Sequence, residues 1–199
     1  MPILVVDNGA NNRIEISKNL ISSGNGKIIL DGDNNIISVD PSALAFGGFF
    51  HLTGGARVII GEKVNASQLF VYAVHGAELR IGGWGGFNGL VRLLMHEPGK
   101  LTIGDNCLFA AEVDVTTSDM HSIIDVPTQE RINYAKDIMI GNRVWIGQRS
   151  MVLKGAQIGD GSIIGAQSVV TNTIPSNCVA AGNPAKLVRD NVTWDKRLL

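Results

Sequence analysis

The chain has 199 residues, of which 45% are hydrophobic and 6% aromatic, and it contains 24 glycines. This length predicts one domain, residues 1–199, and the excess of aliphatic residues and glycines over aromatic residues favours a narrow core with many tight corners. The formal net charge is −1, which argues against a nucleic-acid or membrane partner attracted by overall charge.

The first segment, residues 1–56, shows no regular period. Its opening, MPILVVDNG, is apolar for only five residues before it turns polar. A signal peptide or a membrane-spanning helix requires a much longer apolar run, so we expect no membrane insertion. We interpret residues 1–56 as an irregular N-terminal coil or cap.

A period of six residues begins in the next segment. Ile60 and Ile81 each precede a glycine, and the distances from Ile60 to Ile81 and from Ile81 to Ile103 are 21 and 22 residues. Three hexads then follow, anchored by Ile103, Phe109 and Val115. Six is a multiple of the two-residue period of a strand, so a short strand followed by a corner returns the same inward position each time.

The period is clearest between residues 140 and 170. Its apolar anchors are Ile140, Ile146, Val152, Ile158, Ile164 and Val170. The residues four places after the first five anchors are mostly small, namely Val144, Ser150, Ala156, Ser162 and Ser168. Stacked coils of three hexads bury one another's apolar faces, so residues 57–182 are predicted to form an all-β parallel β-helix, a triangular prism. Cys107 falls at a small inward position, and structural thiols in a cytoplasmic protein are the simplest interpretation of the two cysteines.

The hexads stop after Met120 and resume at Met139-Ile140. The polar intervening segment predicts a protruding loop over residues 121–137, and a loop of this length inside a compact coil is often functional. His121 opens the loop. A solvated histidine is the ordinary interpretation of such a residue, whereas its position at the break makes it a candidate general base.

Two further features lie downstream. Trp145 has the parity of an outward-facing residue, which fits a subunit contact, a covered surface patch or an indole N–H that lines a site. Pro184 stands where a helix could begin, followed by apolar residues among charges, so residues 183–199 are predicted to end the prism with a short helix.

The stretch from residue 103 to residue 190, with VWIG at 144–147 and AGNPA at 181–185, resembles the hexapeptide-repeat acyltransferases, and among them the O-acetyltransferases that modify sugars. The resemblance implies a left-handed coil, acetyl-CoA as co-substrate, direct transfer without an acyl-enzyme, and a homotrimer with sites between subunits. HSIIDVP at 121–127 and the overall length resemble the bacterial capsule sialic-acid O-acetyltransferases in particular.

The resemblance also implies roles for individual residues. His121 matches the catalytic histidine, and Trp145 matches a tryptophan beside the thioester. Positions that match cofactor-binding residues are Gln148, Ala166, Thr171, Asn172, Lys186 and Arg189. Asn172 stands where relatives often have lysine, which removes one positive charge expected near CoA.

The acceptor is predicted from charge. Residues 121–199 carry nine Lys and Arg against six Asp and Glu. The cations in or just after the loop, predicted to bind substrate, are Arg131, Lys136, Arg143, Arg149 and Lys154. They favour an anionic saccharide polymer such as a sialic-acid polymer, although some could serve CoA phosphates and a solvated basic face would carry the same residues.

Other classes fit the residues less well. A metal-dependent hexapeptide enzyme of the γ-carbonic-anhydrase type requires three histidines, two of them five apart, whereas the four histidines here are spaced 24, 21 and 25 residues apart; we therefore expect no metal. An ice-binding prism would repeat threonine-rich faces and would not need the 121–137 loop. Serine acetyltransferases and nucleotide-sugar N-acetyltransferases bring N-terminal domains that the sequence does not suggest. An antibiotic or small-sugar O-acetyltransferase of the same fold stays open.

Overall fold

Parallel strands wind along three faces of a prism in the computed structural model, which describes residues 1–199. The first face is an eight-stranded sheet in the order β2-β4-β6-β8-β11-β14-β17-β20, and the other two faces form one 14-stranded sheet. In that sheet, β9-β12-β15-β18-β21 is the second face and β10-β13-β16-β19 the third, and the long bent strand β7 pairs with both. The elements are β1 (Leu4–Asn8), β2 (Arg13–Glu15), α1 (Lys18–Ser23), β3 (Gly26–Asp31), β4 (Ile36–Val39), β5 (Ala45–Thr53), β6 (Arg57–Ile60), β7 (Asn65–Ala73), β8 (Ala77–Ile81), β9 (Gly86–Phe87), β10 (Val91–Met95), β11 (Gly99–Ile103), β12 (Leu108–Phe109), β13 (Val113–Thr116), β14 (Ile138–Ile140), β15 (Trp145–Ile146), β16 (Met151–Leu153), β17 (Gln157–Ile158), β18 (Ile163–Ile164), β19 (Val169–Val170), β20 (Thr173–Ile174), β21 (Val179–Ala181) and β22 (Lys186–Arg189).

The six-residue period produces vertical stacks of like side chains inside the prism, as a left-handed β-helix requires. On the first face, one inward position is occupied in exact register by Ile60, Ile81, Ile103, Ile140, Ile158 and Ile174. All six are buried. They belong to one cluster of 42 buried hydrophobic residues, so the core is continuous from coil to coil. The predicted spacings between coils are therefore confirmed.

Corners are built by residues in the left-handed conformation and by polar side chains. Asn106 and Arg143 have φ values of 58° and 52° at equivalent corners of successive coils. Beside them, Asp105 Oδ1 accepts from the Gly83 N–H at 2.8 Å, and Asn142 Oδ1 accepts from the Asp105 N–H at 2.8 Å. These side chains bond backbone donors that the turn leaves without a strand partner.

For residues 1–56 the sequence predicts an irregular N-terminal coil or cap, and the structure has coils of parallel strands there. β1, β3 and β5 pair in parallel register, and β2 and β4 begin the first face. The short helix α1 occupies one corner, capped by Ser17, and buries Leu20. The coils are regular there, but β3 and β5 have six and nine residues, so the sequence between corners is too long to repeat every six residues.

The predicted loop is confirmed, and the predicted C-terminal helix is wrong. Between β13 and β14 the only strand pairing is an isolated bridge from Ile124 to Arg131. At the end of the chain, β22 runs antiparallel to β21. Leu187 and Val188 are 54% and 66% exposed, so this segment offers no apolar stripe for a helix to bury. It instead pairs with the exposed edge of the second face. The single helix, α1, has six residues and is too short to cross a membrane.

Candidate active site

His121 lies at the start of the loop, on the corner between the third and first faces. Its side chain is exposed. Its backbone is fixed at both polar atoms, because the His121 N–H donates to the Asp119 carbonyl at 2.7 Å and the His121 carbonyl accepts from Asn133 Nδ2 at 2.8 Å. The imidazole is thus presented to solvent on an ordered main chain, an arrangement suited to a proton acceptor.

Asn133 joins the two ends of the loop. It is 7% exposed. Its Oδ1 accepts from the Ile123 N–H at 2.7 Å, and its Nδ2 donates to Asp119 Oδ2 as well as to the His121 carbonyl, both at 2.8 Å. Sequence reasoning does not reveal this role, since one asparagine in an aperiodic loop forms no pattern. Asn133 is the residue whose side chain orders the backbone around His121.

Two ion pairs complete this arrangement, which we call the loop anchor. Its members are Glu97, Ser118, Asp119, Arg131, Asn133 and Lys154. Arg131 donates to both oxygens of Glu97, each at 2.7 Å, and Ser118 also donates to this carboxylate. These bonds lower the pKa of Glu97 to about 2. Lys154 and then Asn133 lower the pKa of Asp119.

The five cations predicted to bind substrate therefore differ in their surroundings. Arg131 and Lys154 are ion-paired within the loop anchor, and Arg149 is ion-paired with Glu112 at 2.7 Å. Lys136 is exposed at the end of the loop. Arg143 lies at a corner before the second face and donates to the Trp194 carbonyl at 3.2 Å. Three of the five positive charges are thus already balanced by a carboxylate, and the five do not form one patch.

Trp145 lies in β15 on the second face and points outward, as its parity predicts, with 40% exposure. Its ring centroid is 6.0 Å from that of Trp194. The indole N–H groups of Trp84 and Trp194 donate to Glu62 and to the Arg143 carbonyl, whereas that of Trp145 forms no hydrogen bond within the chain. Since His121 is on another corner of the prism, the chain does not bring these two side chains into contact.

The predicted cofactor residues fall into three places. Gln148 and Ala166 are exposed at one corner, and the Gln167 N–H donates to the Gln148 carbonyl at 2.8 Å, which confirms that they stack in line. Thr171 and Asn172 are exposed on the next corner. The third place is β22, which contains Lys186 and Arg189.

The second face connects Trp145 to β22. Strand pairing puts Trp145, Ile163, Val179 and Arg189 in one row across four strands. With neighbouring strands about 4.8 Å apart, this row is roughly 14 Å long. An extended ligand could lie along it with one end near the indole and an anionic end near Arg189.

Neither cysteine is a candidate nucleophile. Both are buried, as predicted for Cys107, and burial raises the pKa of its thiol to about 11. A thiol of this pKa is almost entirely protonated at neutral pH and is therefore a weak nucleophile. No group of three His, Cys, Asp or Glu side chains is placed to bind a metal ion.

A family profile described as bacterial transferase hexapeptide (six repeats) matches residues 137–172. The polysialic acid O-acetyltransferase of Escherichia coli O1:K1 / APEC is 40% identical over 95 residues, which are 48% of this chain and 31% of that protein. The crystal structure of the polySia specific acetyltransferase NeuO has a TM-score of 0.88 and 28% identity, over 98% of this chain and 90% of that one. A maltose O-acetyltransferase from Clostridium difficile 630 has a TM-score of 0.50 and 30% identity, over 66% of this chain and 68% of that one.

Proposed function

This chain belongs to the hexapeptide-repeat O-acetyltransferases, and on that premise we propose that it transfers the acetyl group of acetyl-CoA to a hydroxyl of a saccharide. The observation that carries the proposal is the exposed His121, fixed by Asn133 at the start of a loop that interrupts the coil. This is the position in which a base can reach an acceptor hydroxyl outside the prism.

The transfer takes place in one complex of both substrates. The acceptor oxygen attacks the thioester carbonyl carbon while the His121 imidazole takes the hydroxyl proton, assistance worth about 10²- to 10⁴-fold. Negative charge develops on the carbonyl oxygen, and the unbonded indole N–H of Trp145 donates to it. The carbon–sulfur bond then breaks, the ester is released, and the imidazolium returns its proton to the CoA sulfur.

Acetyl-CoA fits the row of residues on the second face. A Cβ on Gly147 would lie 2.5 Å from the Ala166 nitrogen, so glycine is needed for the two coils to stack at this corner. The small side chain of the exposed Ala166 leaves room for the cofactor to approach. Gln148, Thr171 and Asn172 supply polar groups to the pantetheine arm, while Lys186 and Arg189 attract the phosphates.

The placement of His121 and Trp145 on different parts of the prism supports a homotrimer with shared sites. In a closed ring of prisms, the loop corner of one subunit faces the second face of its neighbour. His121 of one subunit then meets Trp145 of the next, and each interface contains one complete site.

A mixing experiment tests the shared site. His121→Ala and Trp145→Ala proteins, each of low activity, are dissociated together and reassembled. Mixed trimers contain interfaces that carry both native residues, so turnover should recover. If mixing restores no activity although mixed trimers form, the two residues act within one subunit and the shared site is wrong.

We assign sialic acid in a bacterial capsular polysaccharide as the acceptor. Support comes from two similar proteins that are named for polysialic acid and from the cations that remain unpaired, Arg143 and Lys136. The ion pairs of Arg131, Arg149 and Lys154 weaken the charge argument, which keeps a neutral small sugar or an antibiotic as the second candidate. Since acetyl-CoA is a cytoplasmic metabolite, we place the reaction in the cytoplasm.

Release of free thiol from acetyl-CoA, measured with a panel of saccharides, tests the activity. Oligosialic acid should be acetylated faster than galactosides, maltose or antibiotics, and its KM should rise with salt because screening weakens its attraction at a Debye length of about 8 Å. Equal rates with a neutral sugar, and a KM that does not change with salt, would show that sialic acid is not the preferred acceptor. If no saccharide releases thiol faster than the hydrolysis of acetyl-CoA does, the proposed transfer to saccharides is wrong.

A further inference from the structure

A pocket of about 380 Å³ opens near Trp145, with Arg143 and Trp194 in its lining. It is formed where the C-terminal segment, residues 190–197, turns back over the corner between the first and second faces. The lining residues are Asn106, Arg143, Trp194, Asp195, Lys196 and Arg197. Its volume falls in the range of pockets that bind small molecules, about 300–1,000 Å³.

The pocket has a defined wall because the C-terminal segment is fixed to the prism. Trp194 Nε1 donates to the Arg143 carbonyl at 2.6 Å, and Arg143 Nη2 donates to the Trp194 carbonyl at 3.2 Å. The Val192 N–H donates to the Asn177 carbonyl at 2.9 Å. Lys196 Nζ donates to the Trp84 carbonyl at 3.3 Å. The bonded carbonyls belong to three different coils, so the segment runs along the corner.

The charges that line the pocket are mostly uncompensated. Asp195 accepts two hydrogen bonds from the Arg197 guanidinium, each at 2.9 Å, and this pair is neutral. Arg143 and Lys196 form no ion pair with any carboxylate of the chain, in contrast to Arg131, Arg149 and Lys154. Three cations and one carboxylate therefore leave two positive charges.

The pocket also lies next to the proposed oxyanion donor. Trp194 lines the pocket, and its ring centroid is 6.0 Å from that of Trp145. Because the Trp194 N–H is occupied by the Arg143 carbonyl, Trp194 presents its ring rather than a donor. The lining thus combines one aromatic residue with guanidinium and ammonium groups that can donate to an anion.

We propose that this pocket binds an oxyanion of one of the two substrates, either the carboxylate of an acidic sugar in the acceptor or a phosphate of CoA, through Arg143 and Lys196 against the ring of Trp194. The inference rests on the proposed function for the identity of those substrates. Trp194 and Lys196, which the sequence does not indicate, join Arg143 as proposed ligand-binding residues. Arg143 thereby has a different role from Arg131 and Lys154, the cations of the loop anchor.

The experiment uses two variants that remove a proposed contact, Lys196→Gln and Arg143→Gln. Two variants serve as controls: Lys196→Arg keeps the positive charge, and Lys100→Gln removes an exposed charge from β11. Equilibrium binding is measured for oligosialic acid, for the same oligomer with its carboxyl groups reduced to alcohols, and for CoA with and without its 3′-phosphate. Thermal unfolding verifies that each variant is folded.

Loss of one charge-assisted hydrogen bond should weaken binding of the recognised substrate about tenfold in each Gln variant, and Lys196→Arg should stay within about twofold of the native protein. Lys100→Gln should change nothing. If the Gln variants bind oligosialic acid more weakly but bind the reduced oligomer as the native protein does, the pocket binds the carboxylate. If only the affinity for CoA falls, the pocket binds a phosphate.

Unchanged affinity for both substrates in both Gln variants would overturn the pocket assignment. Binding is measured without turnover, so this result is separate from a failure of the proposed function. A protein that acetylates no saccharide can still show charge-dependent binding here, and an active transferase can show none.

Discussion

The coil between residues 140 and 158 and the loop of residues 121–137 are neighbours in the chain, but different interactions order them. The coil repeats one apolar contact, in which Ile140 stacks between Ile103 and Ile158. The loop depends on a few polar contacts that occur once, centred on Asn133 and the Glu97–Arg131 pair. Repeated apolar contacts therefore order the coil, and single polar contacts order the loop that carries the proposed base.

This difference has an energetic consequence. Each buried anchor of the coil contacts anchors above and below, so removing one leaves a cavity in a continuous core. No member of the loop anchor belongs to the apolar core, although Ser118 and Asn133 are buried, so a member can be lost without leaving a cavity in that core. We expect coil substitutions to change stability with little effect on chemistry, and loop substitutions to do the reverse.

The largest expected effect is on the coil. Ile140 is 1% exposed, and Ile140→Ala should lower the free energy of unfolding by about 2–5 kcal/mol, against about 0.5–1.5 kcal/mol for Ile140→Val. Denaturant unfolding measures both, and turnover well below the unfolding midpoint should stay near that of the native protein. An unchanged free energy of unfolding in the Ala variant would show that the stack is not a stabilising unit.

Next in size is the effect of His121 on turnover. His121→Ala should lower kcat by two or more decades, because the neutral hydroxyl then lacks a base. Acetyl-CoA affinity and thermal stability should be nearly unchanged, since the side chain is exposed. His75→Ala, another exposed histidine on a corner, is the matched control. Near-normal turnover of the His121 variant would remove this residue from the mechanism.

The coil could be predicted from sequence because its interactions repeat. The register of Ile60, Ile81 and Ile103 follows from spacing alone, and the outward direction of Trp145 follows from parity. The regularity of the coils in residues 1–56 could not be predicted, because β3 and β5 are longer than a hexad strand. Pairing on the edge of β21 decided the C-terminal structure, and the local pattern around Pro184 carries no information about that edge.

The site was predicted only in part, for a related physical reason. His121 can be identified from the sequence because it directly follows the last hexad before the break in the six-residue period. Asn133 cannot, because it forms its hydrogen bonds only after the loop has folded back on itself. Charge counting also overestimated the basic surface, since Arg131 and Lys154 have partners 34 and 35 residues away. Pairings at such distances depend on which corners of the prism are stacked.

A smaller effect on turnover is expected for Asn133. Asn133→Ala removes the bond to the His121 carbonyl, and a displacement of the base by about 1 Å can reduce the rate up to about 10²-fold. The fall should be in kcat, with KM for acetyl-CoA nearly unchanged, because the imidazole itself is intact. Asn88→Ala, an exposed corner residue, serves as control. A change in acetyl-CoA KM alone would assign Asn133 to substrate binding instead of positioning.

The smallest effect is the pH dependence of the loop anchor. The pKa of Glu97 is lowered to about 2 from an ordinary value of 4.5, mainly by hydrogen bonds from Arg131 and Ser118. A depressed pKa stabilises the folded state above pH 4.5, and this contribution is lost as the pH falls from 4.5 towards 2. The pair is partly exposed, so the loss should be on the order of 1 kcal/mol. Amide hydrogen exchange should show residues 121–137 opening over this window before the strands of the coil do, and Glu97→Gln should remove most of the dependence. Equal acceleration of loop and coil amides in the native protein would mean that the anchor is not a separate unit.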